Sequence, residues 1–165
     1  MISSQIGKNI LDGFCRCVES KTVIDFDIDN VYLGLLKVLP KNDETAYDDG
    51  TKFQEPSDPA YNRVQLNATH MLNEVPYISS ALTEVVDGVL SAYVVNNAYI
   101  MFDETSADDS GEWGDIVGFG LFSEKSGTKP PYLWGAITTP DGSTVNIGKE
   151  EIPSIGKGNF KISLR

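Results

Sequence analysis

Nucleophilic and acid–base chemistry need particular side chains, and this 165-residue sequence holds few of them. A Ser-His-Asp arrangement requires a histidine as base, and His70 is the only one present. It stands in Leu66-Asn67-Ala68-Thr69-His70-Met71-Leu72, with no G-x-S-x-G elbow anywhere in the chain. His70 is therefore not expected to be catalytic. Cys15 and Cys17 are the only cysteines. Two residues apart, they cannot close an ordinary disulfide in regular structure, and with a single histidine they fall short of a four-ligand zinc site. Reduced thiols and no transition metal are the expectation.

Carboxylates are the abundant chemical resource. Asp25, Asp27 and Asp29 alternate like the start of a calcium loop, but Asn30 stands where that loop needs glycine and Leu36 where it needs a bidentate glutamate. A solvated acidic face is the better reading. The turn Asp108-Asp109-Ser110-Gly111-Glu112 could also hold calcium, yet hairpin tips are commonly acidic. Glycoside hydrolysis needs two carboxylates across a cleft, and spacing alone selects no pair from 24 acids. Gly118-Phe119-Gly120 lacks the third glycine of a dinucleotide loop and lies inside the alternating run Ile116 to Phe122, which argues for a strand where glycine admits a close neighbour. Asn67-Ala68-Thr69 matches a glycosylation sequon without a secretory context. No catalytic residue, metal ligand or cofactor is expected.

Charge narrows the partners. Thirteen basic against 24 acidic residues leave a net charge of −11, and no Lys or Arg occurs between Arg63 and Lys125, whereas ten acids do, from Glu74 to Glu124. Nucleic-acid binding works largely through phosphate neutralisation by Lys and Arg, so it is excluded as an expectation. A partner meeting this stretch should be basic, neutral or cationic; the acids also favour solubility. With 41% apolar residues the chain can bury a core, and its length fits a single domain. Met1 to Asp12 is too polar for a signal peptide, and the uncharged run Gly88 to Phe102 is too short to span a bilayer, so neither export by that route nor a membrane segment is expected.

The elements follow from periodicity. Ile2, Ile6, Ile10, Phe14 and Val18 paint an apolar stripe on a helix from about Ser3 to Glu19, weakened by Gly7 and Gly13, which must therefore dock on its own domain or on a neighbour. Beyond it, short β-rich runs alternate with turn signals. Strands are expected at Thr22 to Phe26, Val31 to Leu39, Arg63 to Ala68, Leu82 to Val86, Ala98 to Phe102, Ile116 to Phe122, Tyr132 to Ile137, Thr144 to Ile147 and Asn159 to Leu164, with turns at Asp87-Gly88, Ser110-Gly111 and Asp141-Gly142 among others. Such punctuation fits a mainly β fold, an antiparallel β-sandwich of about nine strands carrying one N-terminal helix. Pro40 to Ala60, rich in acids and proline, reads as a surface loop with no apolar face to bury.

Large rings beside glycine stand out at Trp113-Gly114 and Trp134-Gly135, with Phe119, Phe122 and Tyr132 close in sequence. Such rings can be core, an exposed sugar-stacking platform or an oligomer interface. The succession Asn97-Ala98-x-Ile100-x-Phe102, Trp113-Gly114-x-Ile116-x-x-Phe119-Gly120-Leu121-Phe122 and Leu133-Trp134-Gly135-x-Ile137-Thr138 resembles small tail-fibre-like virion proteins of tailed bacteriophages. The amphipathic N-terminal stretch, Val31 to Leu35, Tyr61-Asn62-Arg63, Val145-x-Ile147-Gly148 and the closing Phe160-x-Ile162-x-Leu164 extend that resemblance over most of the chain. Met71 to Val86 and Cys15-x-Cys17 depart from it. The resemblance implies a non-enzymatic virion component, tail, baseplate or fibre-attachment associated. It would assemble with other virion proteins and itself in the host cytoplasm, docking through Ile6, Ile10, Phe14, Trp113, Tyr132 and Trp134. A host-glycan-binding module and a head-associated protein are the alternatives.

Overall fold

A computed structural model describes residues 30–39, 53–68, 75–137, 139 and 143–164. The architecture is mainly β, built from antiparallel sheets. The expected helix over 3–19 and the strand at 22–26 lie outside the described residues. The described residues form two compact units interleaved along the chain: one draws on 30–31, 66–68, 75–100 and 155–164, the other on 32–39, 53–65, 101–137, 139 and 143–154.

The larger unit holds a four-stranded sheet. Strand β1 (Tyr32–Leu36) pairs on one side with the two-residue β2 (Val64–Gln65). The next strands, β3 (Leu82–Val86) and β4 (Val89–Val95), belong to the other unit, and β5 (Ile100–Met101) pairs with β10 (Ser154–Ile155). Further along lie β6 (Gly114–Ile116), β7 (Gly118–Phe122), β8 (Leu133–Ala136) and β9 (Val145–Ile147). The order is β2-β1-β7-β8, with β6 and β9 as a separate pair.

Register explains the glycines. Gly34 lies opposite Gly120, and Tyr32 opposite Phe122, so all four share one face of the sheet. A Cβ on Gly34 would come within 2.8 Å of the Phe122 ring, and one on Gly120 within 2.7 Å. The glycine pair is the recess that lets this ring lie flat on the sheet. Phe119, on the opposite face, similarly covers Gly135, where a Cβ would lie 2.9 Å from the ring. Leu36, Phe53 and Phe122 form a buried cluster with Tyr32, Leu39 and Trp134 packed against it.

The smaller unit has the sheet order β11-β4-β3, with β11 at Lys161–Leu164. Its hairpin is dictated by Asp87-Gly88: φ is +52° and +77°, the left-handed pair that a two-residue type I′ turn demands. Ala92, Val94 and Ile162 are buried on one face. Asn96, only 1% exposed at the end of β4, donates from Nδ2 to Ala98 O and Gly156 O and accepts from Phe160 N. One amide thus satisfies the bend that returns the chain to β11.

Strand β4 occupies the uncharged run Gly88 to Phe102, where the periodicity placed a strand only from Ala98. It is the central strand, with Ser91, Ala92 and Val94 all buried, so the polar–apolar alternation that marks a half-exposed strand is missing. Replacing Gly34 with Ala should lower the unfolding free energy by about 1–3 kcal/mol. Gly148→Ala, whose Cβ would make only ordinary contacts of 3.4 Å or more, should stay within about 0.5 kcal/mol of the parent in urea titrations.

Candidate functional site

The segment from Phe53 to Arg63 crosses the glycine face of the four-stranded sheet and brings most of the unit's buried polar groups with it. The expectation of a surface loop with nothing to bury needs correction for its C-terminal part: Phe53, Pro56 and Asp58 are buried. They are buried because Phe53 joins the Leu36 and Phe122 cluster while the polar groups bond one another.

Arg63 is 4% exposed. Its Nε donates to both Glu55 oxygens at 3.0 and 3.1 Å, and Nη2 reaches Glu55 Oε2 at 2.6 Å. Nη1 donates to Glu124 O and Nη2 also to Gly127 O, capturing the loop after β7. The guanidinium lies 3.5 Å above the Phe122 ring centroid. Gly34, Gly120, Phe122 and Arg63 therefore form one stack, in which the ring's negative face meets the cation. Tyr61 closes the cluster: its hydroxyl donates to Glu55 Oε1 at 2.7 Å and accepts from Leu35 N at 2.9 Å. Burial, reinforced by the Glu55 carboxylate, pushes the Tyr61 phenol far above its ordinary value.

A second node sits five residues earlier. Asp58, 4% exposed, accepts from Ser106 N, Ser106 Oγ, Ala60 N and Trp113 Nε1 at 2.6–2.9 Å. Burial alone would raise its pKa, but these bonds outweigh it and hold the carboxyl well below the usual range. Trp113 is 1% exposed and packs edge-on against Tyr61 at 5.2 Å, joining the nodes. A shallow cleft of about 270 Å³ borders Arg63, lined by Tyr32, Asn62, Gln65, Asp103 and Lys125 among others.

The sequence-derived candidates separate. Trp113 is no docking or stacking surface, because its indole N–H is spent on Asp58 and its faces are enclosed. Tyr132 and Trp134 lie together at the outer strand β8 and are half-buried, Trp134 edge-on to Phe53 at 5.0 Å. Ile6, Ile10, Phe14, His70, both cysteines and Asp25, Asp27 and Asp29 lie outside the described residues. In the acidic turn, Asp108 Oδ1 accepts from the Ser110 amide and hydroxyl, and Lys149 Nζ sits on Asp109 Oδ1. Among the described residues no three His, Cys, Asp or Glu side chains converge as a metal set. No sequence pattern marks Glu55, Asp58, Tyr61 and Arg63 as a cluster; the period-two spacing of Tyr61 and Arg63 is the one signal that pairs any of them.

No protein-family model, curated protein or solved structure matches the chain. What the arrangement does chemically is therefore read from its geometry. Glu55 is held by Arg63 and Tyr61, Asp58 accepts four bonds, and Tyr61 is pinned as a phenol, so the cluster holds protons and chain segments in place.

Since the Asp58 carboxyl titrates below its ordinary value of 3.8, its bonds contribute fully at neutral pH and fade as pH falls below about 4. Asp58→Asn should cost about 2–4 kcal/mol at pH 7 by urea titration. Its stability should also fall less steeply than the parent's between about pH 4 and pH 2.

Proposed function

We propose that the chain is a non-enzymatic structural component of a tailed-bacteriophage virion, associated with the tail, baseplate or a fibre attachment point and working by protein–protein assembly. The observation that carries the non-enzymatic part is the inward use of the buried and half-buried polar groups: Arg63, Glu55 and Tyr61 bond one another or the backbone, and Asp58 accepts from Ala60, Ser106 and Trp113. The virion assignment rests on the sequence resemblance running from Asn97 to Thr138 and into the closing strand. In this reading the strands form a sandwich, the stripe through Ile6, Ile10 and Phe14 forms a docking helix, and the chain functions in the particle as one domain. Its partners are other virion proteins and copies of itself.

The particle itself tests this. Quantitative mass spectrometry of purified phage particles should find the chain in multiple copies per particle, and its absence from particles that contain their other structural proteins would refute the assignment.

Trp134 on β8 and Tyr132 just before it, both half-buried, favour host-glycan binding as the second reading. Stacking on sugar requires an accessible ring face. If that reading holds, Trp134→Ala should abolish retention on host polysaccharide, and fluorescence quenching by acrylamide should fall when glycan is added. Retention unchanged by Trp134→Ala, or none in the parent, removes it.

A further inference from the structure

Strand β3 is the outer strand of its sheet, and among the described residues nothing pairs with the side facing away from β4. Soluble proteins blunt such edges with lysine, proline, bulges or very short strands, because unpaired N–H and C=O groups template a further strand. Leu82-Thr83-Glu84-Val85-Val86 contains neither lysine nor proline, and its register with β4 is unbroken. Its one charge is Glu84, bound by Lys161 Nζ at 2.6 Å across the sheet, with the ammonium 4.4 Å from the Tyr93 ring centroid. Thr83 and Val85 lie on the face that buries Ala92, Val94 and Ile162. At its hairpin end that face continues as Val85 and Leu90, which are opposite each other and 68% and 50% exposed.

We infer that β3 accepts an extended segment of a neighbouring protein as an added strand, its side chains alternating between apolar residues beside Val85 and Lys or Arg beside Glu84. This deepens the assembly reading and rests on it. Side chains of an added strand fall on the same face as the residues they oppose, so period two on β3 dictates period two in the partner. The basic half follows from charge: the chain carries −11, with no Lys or Arg from 64 to 124. A second copy brings the same negative charge, and a two-fold pairing centred on Glu84 sets two carboxylates directly opposite, which is unfavourable.

The test adds a short end-blocked peptide alternating valine and lysine to the full-length protein, followed by calorimetry and amide exchange. Saturable binding should slow exchange in Leu82–Val86, and Val85→Lys should weaken it roughly tenfold. Glu84→Gln should flatten its salt dependence, and Lys161→Met, which releases Glu84, should strengthen it. A peptide of the same composition with alternate amides N-methylated should not bind. Equal binding of the methylated peptide or by Val85→Lys, or protection elsewhere, overturns the inference, as does concentration-dependent dimerisation through β3. Particle incorporation is scored separately: particles that contain the chain while β3 ignores the peptide would defeat this inference alone, whereas peptide binding by a chain absent from particles would defeat the assembly reading alone.

Discussion

A guanidinium placed under a sheet must find acceptors for its donors and a counter-charge, and the unit around β1 and β7 is arranged to provide both. Glu55 supplies the charge, the carbonyls of Glu124 and Gly127 take further hydrogens, and the Phe122 ring covers the remaining face. Each provision has a consequence elsewhere. Phe122 can lie flat only because Gly34 and Gly120 face each other beneath it, and Glu55 can approach only because Gly34 leaves room for its carboxylate. A buried ion pair of this kind adds little net stability over an apolar substitute, but breaking it leaves an uncompensated charge. The pair therefore acts as a specificity device, fixing the register of 53–63 over the sheet and the path of the loop after β7.

The Asp58 node extends this constraint without a cation. Four donors replace the water that the carboxylate loses, and one of them is the indole of Trp113, so the largest buried side chain is oriented by hydrogen bonding as well as by packing. Tyr61 touches both nodes, through Glu55 and through the Trp113 ring. In the other unit the same thrift appears at Asn96, whose amide stitches β4 to the turn before β11, while β3 is left with exposed valine and leucine and a single tethered charge.

Asp87-Gly88 was legible as a tight turn, and the run before it, Leu82 to Val86, ends at the expected residue, whereas the left-handed Glu150 carried no such signal. The expected strand Ile116 to Phe122 is divided at Val117, its start belonging to β6 and Gly118 to Phe122 forming β7, where glycine admits rings as expected. Strand β4 was hidden because Ser91 and Ala92, adjacent and so on opposite faces, are both buried and break the alternation, and Asn96 looks like a polar interruption until its three bonds are seen. The clamp was hidden for the opposite reason. Glu55 and Asp58 sit among solvent-type acids, and nothing in composition marks Glu55 as half-buried or Asp58 as buried; their environment comes from Arg63 and Trp113, partners eight and 55 residues away. The Trp-Gly motif left core, stacking platform and interface open for both Trp113 and Trp134, because the two share the motif and differ in what covers them.

If Arg63 and Glu55 act as one coupled unit that organises the sheet and its crossing segment, a double-mutant cycle by urea unfolding will show it. Arg63→Met and Glu55→Leu should each cost about 3–5 kcal/mol, and the double variant should cost at least about 2 kcal/mol less than their sum. Additive single effects, or singles each within about 0.5 kcal/mol of the parent, would contradict the account.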